Sequence, residues 1–319
     1  MERQHIVGLS LGIIKDGKVI VSKGYGFANL AHSMPASENT VYKLGSLSKH
    51  IIATCILVLA EQDKLNLSDH IHKYYKDAPA EWNDITIRNL LNHTSGLERE
   101  SPAFKWMKRQ PDSVLIQAMY KDKLHFPPGT NWEYSNMGYF ILADIIRQVS
   151  GQSFEDYMNN FFSACGLTHT TTTTRSNEVN KAAGYTYNEG SGKITEAPDF
   201  IALRPSGAFS SSIIDMIKWD SIQRESNLLT KQDWAKMWQD TVISVVSANG
   251  VVSYYGYGWG VTKYKGHKLE DHSGSTLGFK TEYWKFIDDK TSIIILTNTE
   301  QSNPGRIAKE ICDALFLPS

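Results

Sequence analysis

The sequence predicts an α/β fold: an antiparallel sheet built from both ends of the chain and flanked by helices, with a mostly helical region inserted between its two halves. Three observations carry this prediction. A hairpin signal opens the chain, the middle reads as short amphipathic helices with few strand signals, and the last quarter returns to strand-like runs before a final helix. The expected organisation is one unit over 1–319, with 1–62 and 207–319 forming the α/β part and 63–206 the mostly helical part.

The elements follow in order. Between Val7 and Ala28 two strand-like runs flank Asp16-Gly17, a pair suited to the positive φ angles of a tight hairpin turn. From Leu47 to Gln62 the apolar residues Ile51, Ile52, Cys55, Ile56, Leu57 and Leu59 surround the helix axis, which predicts a buried helix rather than a surface one. Short helices are expected at Ile85–Asn92, Ser113–Tyr120, Met137–Val149 (closed by Gly151) and Phe154–Phe162. Ser212 stands three residues before Asp215 and Thr230 three before Asp233, both in the pattern of a capped helix start. Strands are expected at Tyr254–Tyr264, Lys268–Asp271, Phe279–Phe286 and Ser292–Asn298, the last two joined by a turn at Asp288-Asp289. Pro304 opens the last helix, which runs toward Phe316.

Composition narrows the function classes. The chain has 319 residues, 41% hydrophobic and 21% charged, which suits a folded domain and not a disordered or fibrous chain. Lys plus Arg is 33 against 34 for Asp plus Glu, so no basic field exists to collect nucleic acid. The longest apolar run, Ile51 to Ala60, is shorter than the roughly 20 residues a membrane helix needs, so a soluble protein without a transmembrane segment is expected. Met1 reads either as a natural start, placing the protein in the cytoplasm, or as what remains after an export signal, placing it in the periplasm or outside the cell. Cys55, Cys165 and Cys312 are odd in number and far apart, and read as small buried hydrophobes rather than a disulfide framework. His70 and His72 have the spacing of a shared metal site, yet no further ligand cluster accompanies them; no metal and no cofactor are expected. Neither a Gly-x-Ser-x-Gly elbow nor a nucleotide fingerprint is present, and Gly24-Tyr25-Gly26 lacks the third glycine.

Three short stretches can do chemistry. Ser46 and Lys49 share one face of the first turn of the buried helix, bringing a hydroxyl and an amine together. A lysine with a lowered pKa can take the serine's proton, and the positive helix start favours an oxyanion nearby. Ser-x-x-Lys is expected by chance about once or twice at average composition in a chain of this length, so a capping serine beside a solvated lysine gives the same pattern. Tyr134-Ser135-Asn136 places a phenol and a carboxamide in the loop after Pro127-Pro128-Gly129, where sites are displayed. A second match, Tyr157-Met158-Asn159, falls inside a helical pattern and is read as packing. His272-Ser273-Gly274-Ser275 ends a strand-like run, where glycine allows close approach of a ligand.

Taken in order, Ser46-Leu47-Ser48-Lys49, Tyr134-Ser135-Asn136 and His272-Ser273-Gly274 resemble the three motifs of the penicillin-recognising serine hydrolases. The Tyr-x-Asn second motif is similar to the class C β-lactamase branch, with its D-alanyl-D-alanine carboxypeptidases, D-aminopeptidases and lactamase-like esterases. The stretch Ile85 to Leu97, Pro127-Pro128-Gly129 and Pro205-Ser206-Gly207 resemble that branch as well, so the likeness covers nearly the whole chain. The resemblance implies the β-lactamase/transpeptidase fold and a catalytic unit in which Ser46 forms an acyl-enzyme, with Lys49 and Tyr134 sharing proton transfer. It implies an oxyanion hole at the backbone amides of Ser46 and Ser275, and substrate contacts from Asn136, His272 and Gly274. The implied substrate is a small ester, amide or short peptide.

One departure bears on specificity. The class C enzymes begin the third motif with a lysine, whereas this chain has His272, whose ordinary pKa of about 6.5 makes it only partly charged at neutral pH. Tight binding of a β-lactam carboxylate is therefore not expected to be the main activity. Two other readings stay open: a weak or incidental β-lactamase, and a non-catalytic module that senses peptidoglycan fragments. Tyr254, Tyr255, Tyr257 and Trp259 are candidates for an acyl pocket, with core or edge packing as the competing role. The loops Glu98–Gln110 and Thr170–Ala197 are expected to shape the pocket.

Overall fold

β1 (Gly8–Lys15) and β2 (Lys18–Asn29) fold back on each other about the Asp16-Gly17 turn. The computed structural model describes residues 1–104, 108, 110–172, 179–200, 207, 209–225, 227–239, 241–248 and 250–316. β1 also pairs antiparallel with β14 (Thr291–Thr297), Ser10 opposite Leu296, so strands from the two ends of the chain become neighbours. The nine-stranded sheet runs in the order β3 (Met34–Pro35), β2, β1, β14, β13 (Phe279–Phe286), β12 (His267–Thr276), β11 (Gly260–Tyr264), β10 (Val252–Tyr255), β9 (Val242–Val246). The antiparallel sheet expected from both chain ends is what forms.

β14 shows why the sequence there is apolar without alternation. Ile293 and Ile295 pack with Leu9, Phe286, Ala308 and Cys312 beneath α8 (Pro304–Leu315), while Ile294 and Leu296 join the larger core on the other face. A strand covered on both faces must be apolar at every position. On the second face, α6 (Ile213–Glu225) lies across β1 and β14. Behind it α1 (Ser48–Glu61) is buried nearly all round, with Ile51, Ile52, Cys55, Ile56 and Leu59 fully enclosed, and packs against α4 (Asn136–Ser150). The remaining α-helices among the described residues include α2 (Ile87–Leu91), α3 (Asp112–Met119), α5 (Phe154–Ala164) and α7 (Lys231–Gln239).

Helix starts obey local capping chemistry. Ser212 Oγ accepts from Asp215 N at 3.3 Å and Thr230 Oγ1 from Asp233 N at 3.1 Å, satisfying amides that no helical carbonyl reaches. Gly151 closes α4 in the left-handed conformation. A buried charge cluster ties α6 to the sheet. Asp220 accepts from Lys285 Nζ at 2.8 Å, Arg224 Nε at 2.7 Å and Ser292 Oγ at 2.7 Å, and from the Tyr283 hydroxyl. Burial pushes the Asp220 carboxyl up, but Lys285 and Arg224 beside it prevail and hold it well below the usual range.

The structure departs from the sequence expectations in three places. The run Tyr254–Tyr264 is two antiparallel strands, β10 and β11, with the chain turning through Gly256 to Trp259. Gly258 has φ 77° and sits where a Cβ would meet the His50 backbone at 2.6 Å, a turn that the aromatic pattern around it conceals. The mostly helical middle and its two borders carry short strands that are below the length at which periodicity can be read. They are the sheet β4 (Tyr42–Lys43), β8 (Phe209–Ser211), β5 (Thr171–Thr172) and the hairpin β6 (Tyr185–Asn188), β7 (Lys193–Glu196). Finally, β9 was not expected, because an edge strand with Ile243, Val245 and Val246 exposed shows no buried face. Pro205 and Ser206 lie outside the described residues; Gly207 lies beside Gly45.

Candidate active site

The site is built where the chain enters α1. Gly45–Leu47 forms a tight 3-10 turn running into the helix, which leaves Ser46 half-buried at the helix entrance and aims Lys49, fully enclosed, at it from the first turn. Lys49 Nζ donates to Ser46 Oγ at 3.3 Å and to Asn136 Oδ1 at 2.8 Å. Its pKa is lowered well below that of an ordinary lysine, first by burial and then by the positive charge of Arg99, against an opposing pull from Glu100. An amine so placed exists as the neutral base far more readily than a surface lysine.

Asn136 opens α4, and Ser135 before it caps that helix, Oγ accepting from Gly138 N at 3.1 Å and donating to Glu98 O at 2.6 Å. That cap fixes the end of the loop carrying Tyr134. The Tyr134 ring lies against Lys49, whose Nζ is 4.9 Å from its centroid, and Arg99 stands over it at 5.2 Å. Burial raises the Tyr134 pKa, the Ser46 side chain and the Arg99 charge offsetting part of the rise; its Oη has no hydrogen-bond partner of normal geometry among the described residues. Both polar atoms of the Asn136 side chain are engaged, because Nδ2 donates to Glu100 Oε1 at 3.0 Å.

β12 brings the third group. A Cβ on Gly45 would lie 2.7 Å from Ser275 N, so the absence of a side chain there, together with φ 56°, lets the Ser275 amide stand directly beside the serine turn. Gly274 is equally constrained, since a Cβ on it would meet Leu44 O at 2.0 Å. The Ser275 side chain is exposed, accepting from Lys280 Nζ at 2.8 Å. The His272 ring faces Tyr134, with centroids 6.2 Å apart. The three sequence motifs therefore meet at one place.

His272 differs from the expectation of a partly charged imidazole. Burial first, then Lys49, push its pKa down to about 3, with the Ser273 carbonyl pulling weakly the other way, so the ring is neutral at physiological pH. Its Nδ1 lies 2.7 Å from Ser273 O, which can only accept, so Nδ1 carries the proton. Nε2 is then an acceptor, and Tyr255 Oη donates to it at 2.9 Å. Both ring nitrogens are occupied, and the position offers neither a cation nor a free donor.

Among the four aromatic candidates, Tyr255 thus reaches the site. Trp259 does not: it is fully buried and stacks on His50 at 4.6 Å, and Tyr257 is equally enclosed, while Tyr254 is 39% exposed. Arg99 and Glu100, in the loop flagged as pocket-shaping, were not singled out from sequence, because charged loop residues carry no pattern until the fold brings them to Tyr134 and Asn136. Tyr157 and Asn159 sit in α5, as packing required, and the three cysteines are free. His70 Nδ1 lies 2.7 Å from Asn83 O, and no group of His, Cys, Asp or Glu suited to a metal occurs among the described residues. No helix among them is long and apolar enough to cross a membrane.

A helix-flanked antiparallel sheet with a serine at the entrance to a buried helix and a lysine on that helix's first turn is the layout of a β-lactamase/transpeptidase-type protein. A family model described as Beta-lactamase matches residues 1–316, and the chain belongs to that family. It is 29% identical over 320 residues to Protein flp of Staphylococcus aureus (strain N315), covering 98% of this chain and 63% of that protein, so the chain spans under two thirds of this relative. Its fold superposes on the octameric penicillin-binding protein homologue from Pyrococcus abyssi with a TM-score of 0.88 at 24% identity, covering 99% of this chain and 74% of that one. It also superposes on the D-amino acid amidase from Ochrobactrum anthropi SV3, with a TM-score of 0.85 at 18% identity, covering 98% and 95% of the two chains. At these identities the two structural likenesses bear on the fold. Family membership and fold agree: the chain is a β-lactamase-family protein with the β-lactamase/transpeptidase fold.

Proposed function

We propose that the protein is a serine hydrolase that cleaves small esters or amides, of carboxylesterase or D-amino-acid peptidase type, through an acyl-enzyme on Ser46. The observation that carries this reading is the enclosed Lys49 amine, its pKa depressed by burial, 3.3 Å from Ser46 Oγ and held there by Asn136. Ser46 Oγ bonds to the carbonyl carbon while its proton passes to neutral Lys49. The carbonyl π electrons move to oxygen, where the amides of Ser46 and Ser275 receive the charge. On collapse of the tetrahedral adduct the bond to the alcohol or amine breaks, and Lys49 and Tyr134 return the proton to that leaving group. Water then repeats the sequence on the acyl-enzyme and restores Ser46.

The neutral, fully engaged His272 supports esters and amides without a recognised carboxylate over penicillins and cephalosporins. The amidase among the structural relatives favours an amide. The penicillin-binding protein homologue favours a second reading, lactam capture with little turnover. The deciding experiment is a side-by-side screen of p-nitrophenyl short-chain esters, D-amino-acid amides, D-alanyl-D-alanine peptides and a chromogenic cephalosporin, with Ser46→Ala as the control. Turnover of an ester or amide that Ser46→Ala abolishes is the expected result. Cephalosporin turnover alone would replace it with the second reading, and turnover unchanged in Ser46→Ala would remove Ser46 as nucleophile.

A further inference from the structure

Proton relay at Ser46 requires the Tyr134 phenol to be held in place, yet its own hydroxyl makes no hydrogen bond of normal geometry among the described residues. The ring must be fixed through its neighbours. Both residues that flank Tyr134 in the chain are tied to one side chain and backbone, those of His93. His93 O accepts from Glu133 N at 3.0 Å, and His93 Nδ1 accepts from Ser135 N at 3.1 Å. The imidazole also lies against the Tyr134 ring itself, with centroids 4.3 Å apart and planes tilted by 41°.

The chemistry of this clamp depends on a neutral imidazole, because Nδ1 must offer a lone pair to the Ser135 amide. His93 is 1% exposed, and burial first, then the neighbouring basic side chains of Lys49, His272 and Arg99, which oppose a further positive charge, keep its pKa well below that of an ordinary histidine. With Nδ1 accepting, the proton resides on Nε2, which has no hydrogen-bond partner among the described residues. Around the ring stand the aromatic side chains of Tyr139 at 5.2 Å, Tyr255 at 4.7 Å and Trp132 at 6.1 Å. The backbone is equally specific. His93 has φ 62°, a left-handed conformation that costs a non-glycine residue of this kind about 1 kcal/mol or more. Thr94, the next residue, is fastened on both sides, its N donating to Asn89 O at 2.9 Å and its O accepting from Gly129 N at 2.7 Å. A strained, buried residue with an unpaired nitrogen is a poor device for stability alone.

We propose that His93 is the positioning residue of the site, setting the Tyr134 phenol at Ser46 by accepting the Ser135 amide at Nδ1 and packing its ring on Tyr134. The proposal rests on the reading of Ser46 as the acylated nucleophile with Tyr134 in its proton relay. It concerns the rate of acylation and not the binding of the reagent.

The test uses a fluorophosphonate and separates the inactivation rate constant, kinact, from the binding constant, KI. His93→Gly removes the side chain while accepting the left-handed backbone without strain; His93→Asn tolerates that backbone and returns an acceptor oxygen near the place of Nδ1; His93→Gln carries its acceptor one atom too far. We expect His93→Gly to lower kinact by about 10²-fold with KI changed by less than about threefold, the size of effect that loss of alignment produces. His93→Asn should recover at least about tenfold of that loss, and His93→Gln should not. A kinact for His93→Gly equal to wild type, or equal values for Asn and Gln, would overturn the assignment. Should His93→Gly fail to fold by circular dichroism, the Asn and Gln pair decides on its own. Absence of a Ser46 adduct in the wild-type protein would instead overturn the hydrolase reading, and this assignment with it.

Discussion

Replacing Asp220 by alanine attacks the charge cluster that binds α6 to the sheet behind the serine helix. Asp220 is 1% exposed, and it is the carboxylate that meets Lys285, itself 1% exposed, as well as Arg224, Ser292 and Tyr283. Removing one partner of a buried pair leaves the other charge uncompensated, which costs about 3–5 kcal/mol. The melting temperature should fall by roughly 4–8 °C. The sign of the pH dependence follows from the pKa shifts. Asp220 is held below the ordinary carboxylate range, so its contribution is complete above about pH 3.9 and is lost as acid titrates the folded protein. Lys285 is pushed down to about 8 by burial, so at pH 9.5 the wild-type pair is already neutral on the lysine side and the gap between wild type and Asp220→Ala narrows. Denaturant titrations at pH 7 and 9.5 measure both numbers. Asp220→Ala/Lys285→Met should regain most of the loss at pH 7, because an apolar side chain of similar length needs no counter-charge. A loss below about 1 kcal/mol, the level of a surface ion pair, would refute the reasoning, as would a double variant no better than the single one.

Three further outcomes are expected. Lys49→Met should slow Ser46 acylation by about 10²–10⁴-fold, read as the fluorophosphonate labelling rate with circular dichroism confirming the fold; labelling at the wild-type rate would exclude Lys49 as the base. Gly45→Ala should cost about 10²-fold in the same assay by driving a methyl group against Ser275 N, 2.7 Å away, and spreading the two amides; an unchanged rate would mean that the Ser275 amide takes no part. His272 binds no proton in the folded protein between its depressed pKa of about 3 and the unfolded value of about 6.5, so its contribution to stability falls as pH drops through that window. His272→Gln should therefore gain on the wild type by about 2 kcal/mol between pH 7.5 and 5, measured by denaturant titration; a constant difference would show that His272 is not buried in its neutral form.

The fold was readable where one element satisfied one period. The Asp16-Gly17 hairpin, the all-apolar face of α1 and the run Ile293 to Leu296 each leave a single solution, and the capping pairs Ser212/Asp215 and Thr230/Asp233 fix helix starts to the residue. It was unreadable where tertiary contact sets the chain. Gly256 to Trp259 looks like a strand until His50 lies beneath it, and the two-residue strands of the small sheet have no period to detect. The motif residues Ser46, Lys49, Tyr134, Asn136 and His272 stood out because their types and order match a family pattern. Tyr255 was one of four aromatic candidates that the sequence could not tell apart, and Arg99 and Glu100 did not stand out at all, since their roles depend on which atoms they reach. The charge of His272 is illegible in the sequence for the same reason: a reference pKa describes a histidine in water, and this one is enclosed, beside Lys49, with both nitrogens bonded.

The claim that Ser46 is the nucleophile is tested most directly by intact-protein mass spectrometry after fluorophosphonate treatment, followed by peptide mapping. One adduct on Ser46 in the wild type and none in Ser46→Ala is the predicted result. An adduct carried by another residue, or an unmodified wild-type protein, would contradict it.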